Sequence, residues 1–114
     1  MKKRSSFSVK HILLAAVLVA INQPGQTADL DTGQKKAQAC VVCHGRYGIS
    51  VTPDAPHLAG QPALYLEAQL RAFKEGQRMH QVMNVIAQQL NDEDIGALAA
   101  WFASIEIEAK PPTQ

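Results

Sequence analysis

The sequence has only two cysteines, Cys40 and Cys43, so a zinc site closed by two cysteine pairs is excluded. It has no long hydrophobic run either. Its longest apolar stretch, Ile12 to Ile21, is ten residues, whereas a helix that spans the hydrocarbon core needs about 20. Repeats, low-complexity tracts and the two-residue alternation of half-buried strands are all missing. At 114 residues there is room for one domain.

What does begin the chain is a basic start, Lys2, Lys3, Arg4 and Lys10, leading into that short apolar run. The pattern reads as a secretory signal over residues 1–28, cut near Thr27 or Ala28 after the break at Pro24 and Gly25, and it implies a periplasmic protein. A retained anchor is the competing reading. Without the leader the mature domain, 29–114, is left with seven basic residues against ten acidic ones, and its net charge turns negative. No basic stripe remains to neutralise phosphates, which argues against a nucleic-acid partner. No stable membrane span is expected once the leader is processed.

Periodicity predicts three helices and therefore an all-α domain. The first is expected to open with Asp29 or Asp31 as its cap and to place Gly33, Ala37 and Cys40 on one face. Gly45 to Gly60, with Gly48, Pro53 and Pro56, reads as a loop. The second helix starts at Pro62 and stops at Gly76, with Leu66, Leu70 and Phe73 as its apolar stripe. Asn91 is positioned to cap the third, where Ile95, Leu98, Ala99, Phe102 and Ile105 recur at helical spacing.

The chemistry lies in the pentad Cys40-Val41-Val42-Cys43-His44. Residues three apart on a helical turn share a side, so two thiols can reach the two vinyl groups of one porphyrin while the adjoining imidazole meets its iron. A redox disulfide, a structural disulfide and a zinc site compete with that reading. The first needs an alternating strand and helix context, and zinc would have to recruit His57 and His80. Haem attachment fits best, and export suits it.

Several further segments follow the pentad in a telling order: Pro56-His57-Leu58-Ala59-Gly60-Gln61, Tyr65-Leu66 with Gln69-Leu70, and Leu90-Asn91-Asp92-Glu93-Asp94-Ile95 leading to Leu98-Ala99-Ala100-Trp101-Phe102. From Gly33 onward the chain resembles the class I c-type cytochromes, and among them the small bacterial group similar to one half of the diheme cytochrome c4 type. The resemblance implies a cytochrome c fold of three main helices around one covalent haem c. It implies that Gly33 packs against Trp101 and Phe102, and that the Pro56 carbonyl accepts a hydrogen bond from the non-ligating ring nitrogen of His44.

Met79, His80 and Met83 are the candidates for a sixth iron ligand, and spacing does not choose among them. The family register counted back from Leu90 implies Met83, with Val82, Val85 and Ile86 as apolar cover. Histidine and methionine together would close the iron to small molecules and leave electron transfer without enzymatic catalysis. The partners so implied are redox proteins: an oxidase or reductase downstream, or a dehydrogenase of which the chain is the haem subunit. A five-coordinate enzyme or gas sensor is the alternative if Met83 does not bind. Lys35, Lys36 and Arg46 near the pentad, against the acids of the last helix, suggest an electrically polarised molecule.

Overall fold

The computed structural model describes residues 25–113, so the leader expected over 1–28 lies outside the described residues except for its last four positions. Helix α1 runs Gly25–Ala37, a 3-10 turn Gln38–Cys40 follows, and α2 is the short Val41–His44. Then come α3, Ala63–Lys74, α4, Met83–Gln88, and α5, Asp92–Ala103. The described residues contain no strand, as the periodicity predicts.

Two boundaries differ from expectation. Helix α1 begins four residues before Asp29, so Asp29 and Asp31 lie within it and do not cap it. Nothing between Gln26 and Asp31 breaks a helix, and each residue added to an existing helix costs little. Helix α4 falls in the connection between the second and third expected helices, where periodicity predicts none. It is six residues long, below the length at which periodicity is informative.

The other ends follow local chemistry. Pro62 stands just before α3, and its carbonyl accepts the Leu66 amide at 3.1 Å. Helix α3 ends at Lys74, two residues before Gly76. Asn91 caps α5 in a reciprocal box: its Oδ1 accepts the Asp94 amide at 2.8 Å, and Asp94 Oδ2 accepts the Asn91 amide at 3.2 Å.

Packing is organised by α1 crossing α5. A Cβ on Gly33 would lie 2.1 Å from the Ala97 carbonyl oxygen and 2.7 Å from Trp101 Cβ, so the two backbones touch. Ala37, Leu66, Leu98, Ala99 and Phe102 form the central cluster, with Cys40, Leu58, Leu70, Trp101 and Ile105 packed against it. Among the described residues ten apolar side chains are buried and five of them are alanine, a thin core for a domain that is already small.

Charge knits the same elements together. Lys36 on α1 meets Asp94 on α5 at 2.6 Å, and Arg71 on α3 pairs with Asp92. The polarised layout is therefore weaker than the sequence suggests, because a member of the basic group already neutralises an acid of the last helix. Lys36, followed by the Asn91 amide, holds the Asp94 carboxyl below the usual carboxylate range. A depressed carboxylate adds stability above its unfolded value of about 3.9, and that stability is lost as pH falls through the folded value. Asp94→Asn is thus expected to melt below wild type at neutral pH, with the gap narrowing in acid. Thermal melts from pH 7 to pH 2 measure it, and a gap independent of pH would refute the assignment.

Candidate haem site

The site is made by the turn that joins α1 to the loop. The 3-10 turn tightens the chain before α2, so Cys40 stands just ahead of α2 and Cys43 and His44 complete its single turn. Gly45 then leaves the helix with φ +77°, at a point where a Cβ would strike the Ile49 carbonyl oxygen at 2.0 Å. Cys40 is half-buried and Cys43 exposed. Burial, with the neighbouring Cys43 adding to it, pushes the Cys40 thiol up.

His44 is buried, and its Nδ1–H donates to the Pro56 carbonyl at 2.9 Å. A carbonyl only accepts, so the bond puts the proton on Nδ1 and leaves the Nε2 lone pair available to a metal. Pro56 is held in place by the loop around it. The Gly48 carbonyl accepts the amides of Leu58 at 2.7 Å and Ala59 at 3.1 Å, and the Gly60 amide donates to the Phe102 carbonyl at 2.9 Å. Two thiols on one turn beside an oriented imidazole make a donor set that fits a covalently attached haem.

Two features of this loop have no counterpart in the sequence pattern. The Cys43 carbonyl accepts hydroxyls from Ser50 and Thr52, both at 2.9 Å. His57 is exposed but accepts the Ser50 amide on Nδ1 at 2.8 Å. Ser50 and Thr52 are ordinary turn residues, and nothing in their spacing signals a shared acceptor.

The three candidates for a sixth ligand are separated by their surroundings. Met83 is the first residue of α4 and is half-buried. Met79 is 80% exposed. His80 is exposed, with Nδ1 already accepting the amides of Val82 and Met83 at 3.3 and 3.2 Å. Of the apolar residues expected around Met83, Ile86 is half-buried and Val82 and Val85 are exposed.

A helical fold wrapped on a Cys-x-x-Cys-His turn, with the histidine oriented by a loop carbonyl, defines a haem-bearing electron-transfer domain. Residues 30–106 match the family model described as cytochrome c, and the chain belongs to that family. Cytochrome c-554(548) of Halomonas halodenitrificans is 42% identical over 81 residues, covering 68% of this chain and 98% of that protein. Cytochrome c4 of Pseudomonas aeruginosa is 38% identical over 95 residues, which are 81% of this chain and 47% of that one. The crystal structure of reduced recombinant cytochrome c4 from Pseudomonas stutzeri superposes with a TM-score of 0.66 at 28% identity, over 70% of this chain and 50% of its own. The chain therefore spans about half the length of its cytochrome c4 relatives and nearly all of cytochrome c-554(548).

As a member of the family the chain is a haem-based electron carrier and not an enzyme, and its haem is haem c, bound covalently. Among the described residues no helix is long and apolar enough to cross a membrane.

Proposed function

We propose that the chain is a periplasmic one-electron carrier whose haem is joined to Cys40 and Cys43 and whose iron is held by His44 and Met83. It takes electrons from a dehydrogenase and delivers them to a terminal oxidase or reductase. The observation that carries the reading is the hydrogen bond from His44 Nδ1 to the Pro56 carbonyl, which fixes the imidazole in the tautomer a metal requires. The haem supplies the redox chemistry. The protein binds it, buries it and orients its ligand.

For Met83 the support is exclusion as well as register, since Met79 points into solvent and the His80 ring is engaged with backbone amides. A thioether opposite histidine favours ferrous iron and a positive potential, which suits delivery to an oxidase. The dehydrogenase is favoured as donor by a relative named thiosulfate dehydrogenase electron acceptor, from Stutzerimonas stutzeri. It is 39% identical over 63% of this chain and 35% of its own length.

The test is optical. Oxidised wild-type holoprotein is expected to show the weak near-infrared band of a sulfur-to-iron bond. Met83→Ala should lose it and bind carbon monoxide when reduced, and Met79→Ala should behave as wild type. A band that survives Met83→Ala and disappears in Met79→Ala would move the ligand one helical turn.

A further inference from the structure

Helix α4 is too short to stand by its own propensity, since isolated helices below about 12 residues are marginal in water. Its first amides have no partner within the helix, and the usual Ser, Thr, Asp or Asn cap is absent. The amides of Asn84, Val85 and Ile86 are met by the carbonyls of His80 and Val82, and that of Met83, the first in the helix, by an imidazole. His80 Nδ1 accepts from Val82 and Met83, so its proton lies on Nε2. The ring stands edge-on to Phe73, with centroids 6.4 Å apart.

Asn84, next to Met83, closes the arrangement from the other side. Its Oδ1 accepts the His80 amide at 2.6 Å, while Nδ2 donates to the carbonyls of Phe73 at 2.6 Å and Arg78 at 2.9 Å. The Asn84 amide in turn donates to the His80 carbonyl at 3.0 Å. The side-chain orientation is unambiguous, because two carbonyls need the NH2 group and an amide N–H needs the oxygen. Phe73 belongs to α3, so this one side chain ties α4 to the end of α3.

We infer that His80 and Asn84 are positioning residues that hold the start of α4, and with it the Met83 sulfur, in the place where it ligates the haem iron. The inference rests on Met83 being the ligand. Met83 would otherwise sit on a frayed turn, and the iron-sulfur bond would open more often. A competing ligand takes the open form, so its apparent association rises with the open fraction.

The experiment uses the full-length holoprotein. His80→Phe keeps the ring against Phe73 but removes the acceptor, Asn84→Asp keeps the shape but sets an oxygen against two carbonyls, and His80→Asn returns an acceptor. Haem staining and far-ultraviolet circular dichroism report attachment and folding. The near-infrared band and the rate of carbon monoxide binding report the bond. The first two variants should keep covalent haem and helix content, lose band intensity, and bind carbon monoxide about tenfold faster, the effect of losing one or two net hydrogen bonds. His80→Asn should restore both readouts. If His80→Phe and Asn84→Asp keep wild-type band and rate while Met83→Ala loses the band, the positioning role is wrong and the ligand assignment stands. A band retained by Met83→Ala overturns the ligand assignment itself and the inference with it. Should Asn84→Asp yield no holoprotein, His80→Phe decides alone.

Discussion

Cys40→Ala and Cys43→Ala are each expected to lower the yield of haem-bearing protein several-fold, and the double variant to abolish covalent haem. On the proposed attachment, each single variant lacks one of the two thioether anchors. The consequence extends beyond the cofactor because half of the apolar residues buried among the described residues are alanines, a thin core for a small domain. A bound prosthetic group stabilises the folded form alone, and a shift of only 1–2 kcal/mol changes cellular abundance several-fold.

The two positions should not be equivalent. Cys40 is half-buried and packs against the cluster of Ala37, Leu66, Leu98, Ala99 and Phe102, so its loss also removes a core contact. Cys43 is exposed, and its replacement removes the anchor with little packing cost. Haem staining after denaturing electrophoresis should therefore rank wild type above Cys43→Ala, and Cys43→Ala above Cys40→Ala. Wild-type staining in both single variants would remove the basis for covalent attachment at these residues.

Features set by neighbours along the chain are legible in the sequence itself. The pentad is one turn of chain, Asn91 and Asp94 form their capping box within four residues, and the end of α3 is announced by Gly76. Those that depend on distant partners are not. Helix α4 exists through Asn84 reaching back 11 residues to Phe73. Lys36 reads as a free surface charge until α1 is laid across α5 and brings Asp94 to it. His57 and His80 carry no local signal of their roles, because an imidazole accepting a backbone amide has no sequence signature. The link from His44 to Pro56, twelve residues away, follows from family resemblance and not from spacing.

Gly33→Ala and Gly96→Ala should change stability in opposite directions, although both put a methyl group on a helical glycine of the α1 and α5 pair. At Gly96 a Cβ meets nothing within 4 Å. The substitution there reduces the freedom of the unfolded chain, which stabilises by about 0.4–1 kcal/mol where the native conformation suits alanine. At Gly33 the same entropic gain is available, but the methyl would lie 2.1 Å from the Ala97 carbonyl oxygen and 2.7 Å from Trp101 Cβ. Backbone in the middle of α5 has no alternative rotamer, so the helices must separate, and with them the contacts of Ala97, Leu98 and Trp101. Overpacking of this kind costs about 1–3 kcal/mol, and an overlap with main chain belongs at the upper end. The net loss for Gly33→Ala is then about 2 kcal/mol, and Gly33→Val should lose more, against a total stability of about 5–15 kcal/mol for a small domain. Denaturant unfolding of the holoproteins gives all three midpoints. A Gly33→Ala midpoint at or above that of wild type would mean that α1 and α5 do not meet backbone to backbone, and that the contact on which the haem-bearing turn is hung is looser than the structure describes.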